Sequence, residues 1–261
     1  MRIVSANLNG IRAAARKGFF DWFKTQDIDV LCIQETKAQE EQLEDALFHP
    51  EGYYCYFHDA VKKGYSGVAI YSRIKPKKVI KGLGWSDIDN EGRYIEAQFN
   101  GLSVISLYMH SGSASDERQL VKFDFMQRFG DYMKALRRKQ REYIICGDWN
   151  IVHKEIDIKN WKGNQKNSGC LPEERQWLDE LLTPEGLGYV DAFREVNKEP
   201  HQYTWWSNRG NARANNVGWR IDYQIITPKL KPSVKAASVF KDEWYSDHAP
   251  LTVDYDYDLK D

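Results

Sequence analysis

Tyr143-Ile144-Ile145-Cys146-Gly147-Asp148-Trp149-Asn150 begins as a buried strand and ends in polar chemistry. Tyr, Ile, Ile and Cys form a short apolar, partly β-branched run, the pattern of a core strand. Gly147 breaks the run, and a carboxylate and a carboxamide follow on either side of Trp149. On an extended chain, side chains two apart point the same way. Asp148 and Asn150 are therefore expected together on one side, with Trp149 on the other as packing that holds them rigid. Rigid strand ends are where α/β proteins place their chemistry. Gly-Asp and Asn are also ordinary turn residues, so this stretch alone leaves turn and site evenly matched. What decides between them is whether other strands end the same way.

Several do. Arg2–Leu8 reads as a first strand closing in Asn7-Leu8-Asn9-Gly10. Asp29–Glu35 is almost wholly apolar until Gln34-Glu35-Thr36-Lys37; a Glu closing a buried strand is costly unless solvated, paired or bound to a cation. Leu102–Met109 ends in Tyr108-Met109-His110-Ser111-Gly112, and pairs with Tyr94–Phe99 through the tight turn Asn100-Gly101. Arg220–Thr227 carries Asp222 between Ile221 and Tyr223, and Ser246-Asp247-His248-Ala249-Pro250 leads into a last strand, Leu251–Tyr257.

Between these lie expected helices at Arg12–Thr25, Gln39–Phe48, Ser115–Gln140, Pro172–Thr183 and 189–197. The long one places Leu120, Phe123, Met126, Phe129, Tyr132, Met133 and Leu136 at threes and fours. Tyr53–Ala60 and Gly67–Arg73 read as two arms around Lys62-Lys63-Gly64-Tyr65-Ser66, a loop with the cations, glycine and aromatic of a phosphate contact or of a plain turn. The basic run Arg137–Arg141 falls at a helix C-terminus, where cations are favourable anyway. Hairpins mixed with crossovers suit two packed sheets flanked by helices.

Composition narrows the class. The chain has 261 residues, 42% hydrophobic and 13% aromatic, ample for a large core. No linker or composition break divides it, so a single domain over residues 1–261 is expected. Lys plus Arg is 37 and Asp plus Glu 38. That excludes a long basic nucleic-acid arm but permits an acidic site on one face balanced by a basic rim. Cys32, Cys55, Cys146 and Cys170 form no CxxC and no zinc spacing, which reads as reduced thiols in a reducing interior. With no apolar leader at the N-terminus and no bilayer-length run, a cytoplasmic protein with no membrane association is expected.

The polar strand ends collect into Asn7, Glu35, Tyr108, Asp148, Asn150, Asp222, Asp247 and His248. Oxygen-rich ligands with one imidazole suit a hard cation such as Mg²⁺ or Mn²⁺ rather than zinc. Clustered carboxylates repel an anionic substrate unless a cation neutralises them, so a metal-assisted reaction on a phosphate fits best. Asp and His can move protons, Asn can donate to a phosphoryl oxygen, and Asp222 can orient His248.

Six segments in order, Asn7-Leu8-Asn9-Gly10-Ile11-Arg12, Gln34-Glu35-Thr36-Lys37, Gly64-Tyr65-Ser66-Gly67-Val68-Ala69, Gly147-Asp148-Trp149-Asn150, Trp219-Arg220-Ile221-Asp222-Tyr223 and Ser246-Asp247-His248-Ala249-Pro250, resemble the motifs of the exonuclease III family of AP endonucleases, within the endonuclease/exonuclease/phosphatase superfamily. The resemblance implies a four-layer α/β sandwich of two packed mixed β-sheets flanked by helices, acting as a monomer. It implies Mg²⁺-dependent incision of double-stranded DNA 5′ to an abasic site, leaving a 3′-hydroxyl and a 5′-deoxyribose phosphate, with action on blocked 3′ ends and 3′→5′ exonuclease activity. By resemblance Glu35 is the main metal ligand, with Asn7 and Asp247 nearby and Asp148, Asn150 and His248 in the same shell. Asp148 activates the water or protonates the leaving group, and Asn150 positions the nucleophile. Tyr108 and His248 contact the scissile phosphate, with Asp222 orienting the ring. Arg12, Lys17, Gly64, Tyr65 and Asn167 match positions that hold the DNA backbone, and Trp205 and Trp219 the pocket for the flipped-out abasic sugar. Ser111 stands where some relatives carry Asn, and Trp205 where Phe is frequent. Two other readings compete: a superfamily phosphoesterase acting on RNA, a phosphoinositide or a nucleotide, and a catalytically silent DNA-binding module.

Overall fold

The computed structural model describes residues 1–260. The first half contributes β1 (Arg2–Asn7), α1 (Ile11–Arg16), α2 (Phe19–Thr25), β2 (Val30–Gln34), β3 (Tyr54–His58) and β4 (Val68–Ser72). Then come β5 (Lys78–Lys81), α3 (Ser86–Asp89), β6 (Tyr94–Gln98), β7 (Leu102–Tyr108), α4 (Asp116–Leu136) and β8 (Glu142–Asp148). The remainder is α5 (Trp161–Asn164), α6 (Pro172–Leu182), β9 (Val190–Asp191), α7 (Ala192–Val196), β10 (Trp205–Trp206), β11 (Gly218–Trp219), β12 (Asp222–Ile226), β13 (Val234–Val239) and β14 (Leu251–Tyr255).

Two six-stranded sheets pack face to face, one ordered β13-β14-β1-β2-β4-β3 and the other β5-β6-β7-β8-β12-β9. Each holds one parallel pair, β1–β2 and β7–β8, joined by a helical crossover. Strand β8 is buried on both faces, and its side chains alternate between two cores. Ile144 and Cys146 point between the sheets, with Ile3, Cys32, Ile70, Val104 and Ile226. Tyr143 and Ile145 point outward, under Phe125, Phe129 and Met133 of α4 and Leu178 of α6. On the other outer face Phe19, Phe20 and Phe23 of α2 cover Leu31, Ile33 and Tyr71. Helix, sheet, sheet, helix makes the four-layer sandwich. Full burial of each such side chain contributes roughly 1.5–3 kcal/mol. Among the described residues no helix is long and apolar enough to cross a membrane.

Several elements differ from the sequence expectation. Arg12–Thr25 is two helices, because Gly18 turns left-handed at φ 89 between them. Gln39–Phe48 forms only two 3-10 turns, Glu40–Gln42 and Ala46–Phe48, the second capped by Asp45. Residues 189–197 begin as β9 paired to β12, and only Ala192–Val196 are helical. Helix α4 stops at Leu136, and its apolar face is rotated: Leu120 is 67% exposed, whereas Phe125 and Lys122 are buried.

Candidate active site

Strand register does most of the assembly. Parallel pairing sets Tyr108 opposite Asp148, and antiparallel pairing sets Asp222 opposite the same residue. Three functional side chains thus stand in one row at the end of one sheet. In the other sheet Asn7 pairs with Gln34, the residue before Glu35. The sheets are tied at this level: Gln34 Nε2 donates to Ser106 Oγ at 2.9 Å, and Asn7 Nδ2 donates to both Glu35 Oε1 and Asp148 Oδ2 at 2.9 Å. Ionised carboxylates only accept, so the amide nitrogen must face them. In this state Asn7 clamps the two acids together, while its Oδ1 accepts from the Asn9 N–H.

The strand ends are not extended. Asn9, Glu35, Lys37 and Asn150 adopt φ of 46, 52, 48 and 52, where side chains other than glycine are strained by about 1–3 kcal/mol. Simple alternation is therefore not what pairs Asp148 with Asn150. A turn bond does it: the Asn150 N–H donates to Asp148 Oδ1 at 2.9 Å, while Asn150 Nδ2 donates to the Met109 carbonyl at 2.9 Å. Glu35 is held by its backbone, with Gly10 N donating to Glu35 O at 2.8 Å and Lys37 N to Ser66 O at 2.8 Å. Gly67 permits this approach, since a Cβ there would lie 2.1 Å from Thr36 Oγ1. Trp149 is fully buried between Phe129, Trp177 and Tyr223.

His248 Nδ1 lies 2.8 Å from Asp222 Oδ2, and Nε2 faces Asp148 Oδ2 at 3.8 Å. Burial alone would lower the imidazole pKa, but the Asp222 and Asp148 carboxylates overcome it and hold the ring near 10. Burial pushes Asp148 to about 7; His248 opposes the rise, and Asp222 and Glu35 add to it. Tyr108 is driven well above its ordinary value by burial and by the Glu35 charge. Asp247 behaves oppositely. Burial would raise it, but His248 and hydrogen bonds from Asn9, Trp205 and Ser246 bring it below the ordinary range.

Acid–base chemistry thus has a protonated imidazole, a carboxyl that titrates near neutrality and a phenol within one cleft of about 960 Å³. Ligand atoms of Glu35, Asp148 and His248 lie within 4.8 Å of one another. Two facing carboxylates bridged only by an amide carry negative charge that a divalent cation fits. At present Lys37 Nζ answers part of it, 2.8 Å from Glu35 Oε2. Asp247 stands outside that triplet, its oxygens taken by Asn9 and Trp205 at 2.9 and 3.1 Å. With Nδ1 bound to Asp222, Nε2 is the ring atom left facing Asp148, where it can donate to an anion or ligate a metal.

Asn167, Trp205 and Trp219 line the same cleft. The two indoles face each other across β10–β11, centroids 5.9 Å apart and perpendicular. Arg12 and Lys17 are exposed around α1, and Gly64 and Tyr65 lie on the β3–β4 loop; these four are not in the cleft wall. Sequence reasoning assigned no role to Lys122, fully buried, whose Nζ donates to the Asn150 carbonyl at 2.8 Å and to Glu174 at 2.5 Å. Its signal was a lysine inside the stripe that includes Met126 and Phe129.

A site that gathers carboxylates at neutral pH beside proton donors suits a cation and an anionic ester together, which makes this a metal-assisted phosphoesterase fold. Residues 4–248 match the Endonuclease/Exonuclease/phosphatase family, and the chain belongs to that family of divalent-metal-dependent enzymes. It is 39% identical over 253 residues to an exodeoxyribonuclease of Bacillus subtilis (strain 168), covering 96% of this chain and 98% of that one. It is 37% identical over 262 residues to DNA repair nuclease APEX1 of Danio rerio, covering 97% and 81%. An AP endonuclease structure from Archaeoglobus fulgidus superposes with a TM-score of 0.89 at 30% identity, covering 98% and 100%.

Proposed function

We propose that this protein is a DNA repair nuclease that hydrolyses the backbone of double-stranded DNA 5′ to abasic sites. The products are a 3′-hydroxyl and a 5′-deoxyribose phosphate, and the same site removes 3′ blocking groups and trims 3′ ends. The observation that carries the reading is the Asp222–His248–Asp148 arrangement beside the Trp205/Trp219 pocket. An abasic sugar reaches such a pocket at little cost, having no base to unpair, and the aromatic walls favour it over a soluble phosphate monoester. The similarity to an exodeoxyribonuclease and a DNA repair nuclease supports the same substrate.

The cation would be Mg²⁺, with Mn²⁺ able to replace it; Glu35 would hold it, with Asn7, Asp148 and Asp247 nearby, and it would neutralise charge on the phosphate and the leaving oxygen. Asn150 places the attacking water. Asp148, titrating near neutrality, takes or gives the proton. His248, kept protonated by Asp222, and Tyr108 donate to the non-bridging phosphate oxygens as charge builds on them. Arg12, Lys17, Gly64, Tyr65 and Asn167 hold the flanking backbone, where phosphate contacts set register rather than sequence.

An abasic duplex incubated with and without EDTA, scored for incision and 3′ trimming, tests the reading. Incision that stops with chelator and returns with Mg²⁺ or Mn²⁺ is expected. Hydrolysis of soluble inositol phosphates with no abasic incision would refute it, and binding without turnover in Mg²⁺ would favour a silent DNA-binding module.

A further inference from the structure

Behind the cleft wall a buried cation joins Tyr108 of the cleft to Tyr65 of the β3–β4 loop. Arg93, 2% exposed, begins the backbone that enters β6. Its Nε donates to Glu91 Oε2 at 2.5 Å, Nη1 to the Tyr108 carbonyl at 3.1 Å and Nη2 to the Tyr65 hydroxyl at 2.9 Å. The guanidinium also lies against the Tyr108 ring, 4.7 Å from its centroid, and 5.7 Å from that of Tyr65. Arg118, in the first turn of α4, donates to the same Tyr65 hydroxyl at 2.8 Å. His110 Nε2 shares Glu91 Oε2 at 3.1 Å.

The surrounding backbone leaves this assembly little play. Val61 N donates to Asn90 O at 2.8 Å, pinning the start of the Tyr65 loop. Gly92 packs so closely on the Asp59 backbone that a Cβ would come within 2.6 Å of it. A buried ion pair contributes little net stability compared with apolar packing. What a planar guanidinium adds is direction: its donors leave in fixed lines, so groups bound to it keep fixed relative places.

We propose that Arg93 is a positioning residue for phosphodiester hydrolysis. It acts through Tyr108, fixing that ring against the scissile phosphate and making its placement depend on the contact of Tyr65 with the DNA backbone. The inference rests on the roles proposed above for Tyr108 and Tyr65. Arg93 touches neither substrate nor reacting atoms.

A double-mutant cycle tests it. Steady-state incision of an abasic duplex is measured for Arg93→Lys, Tyr65→Phe, Tyr108→Phe and the two doubles with Tyr108→Phe, with thermal unfolding of each as a folding control. Lysine keeps the charge and loses the fork. Tyr108→Phe is expected to lower kcat about 100-fold. Arg93→Lys lowers kcat about tenfold while KM changes less than about threefold. In the Tyr108→Phe background the further loss of kcat from Arg93→Lys falls to within about twofold. Tyr65→Phe, which removes only the shared hydroxyl and carries the cycle if Arg93→Lys does not fold, raises KM in both backgrounds but lowers kcat only when Tyr108 is intact. Losses that multiply in the doubles, or an Arg93→Lys effect confined to Tm or KM, overturn the proposal while leaving Tyr108 in its role. Wild-type kcat in Tyr108→Phe removes Tyr108 from the reaction and overturns both.

Discussion

Asp157→Asn probes the scaffold that sets Trp219 and Asp222. Asp157 is 1% exposed; its Oδ1 accepts from Arg220 Nε at 2.8 Å and from Arg194 Nη2 at 2.7 Å. Arg220, wholly buried, stacks on Tyr223 at 4.5 Å, pairs with Asp191 at 2.7 Å and donates its N–H to the Asp157 carbonyl at 2.8 Å. It sits between Trp219 of the aromatic pocket and the strand that carries Asp222. Burial would raise the Asp157 pKa, but the Arg220 and Arg194 charges outweigh it and bring the carboxyl from 3.8 down to about 2. That depression corresponds to about 2 kcal/mol of stability. It is fully present above the unfolded value and is lost as pH falls through the folded one. Asparagine removes the charge that faces both guanidiniums and sets an NH2 against a donor, the Lys154 N–H that Oδ2 now accepts or the arginines themselves. Asp191 becomes the one acid left to Arg220, a change expected to cost about 3 kcal/mol at neutral pH. Urea denaturation of wild type and variant at pH 7, 5, 4 and 2.5 measures it. The gap should be constant between pH 7 and 5 and shrink from pH 4 downward, because Asp157 of the unfolded wild-type chain takes up its proton near 3.8 while the folded carboxyl stays ionised to about 2. A gap below about 1 kcal/mol at pH 7, or one that widens on acidification, would refute the reasoning.

The other two predictions concern the cleft and the buried ion pair behind Asn150. Asp148→Asn should reduce kcat for abasic incision by at least about 10²-fold with duplex affinity, measured by anisotropy, nearly unchanged; undiminished incision would remove Asp148 from the proton transfer. Lys122→Met leaves Glu174 buried without its cation and should lower stability by about 3 kcal/mol in urea, and Glu174→Gln in the same chain should restore part of that loss.

The sheets were legible because their central strands, such as β2, β8 and β12, are buried on both faces and begin or end abruptly in polar residues. Asn100-Gly101 announced its hairpin, and Glu35, Asp148 and Asp222 each closed or opened a buried run. Strand β5 was not legible, since Lys78-Val79-Ile80-Lys81 is a short, half-exposed edge whose charges discourage pairing from outside. The break at Gly18 was hidden because an isolated glycine within a helical pattern also fits an unbroken helix. The left-handed turn at Glu35 was hidden for another reason: tertiary bonds with Gly10 and Gly67 hold it, and no local pattern encodes those partners. The one at Asn150 was legible as a turn, through the local bond to Asp148, but not its tie to the Met109 carbonyl. Lys122 and Arg93 escaped notice because charged residues are rarely buried without a partner, and sequence does not reveal which distant acid supplies one.

Gly147 shows how the opening stretch acquires its chemistry. As a turn residue its conformational freedom would be reason enough, but the chain continues in the strand through Asp148. The constraint comes from the neighbouring parallel strand. A Cβ on Gly147 would lie 1.9 Å from the Leu107 carbonyl oxygen, and Leu107 is its partner in the β7–β8 register. Any side chain there would force the strands apart one residue before Tyr108 meets Asp148. Asp222, opposite Asp148 from the other side, and His248, bonded to Asp222, would lose the same alignment. The glycine that reads as punctuation is therefore what allows a phenol, a carboxyl and an Asp-held imidazole to converge in one cleft. That row depends on close strand packing as much as on the identity of its side chains.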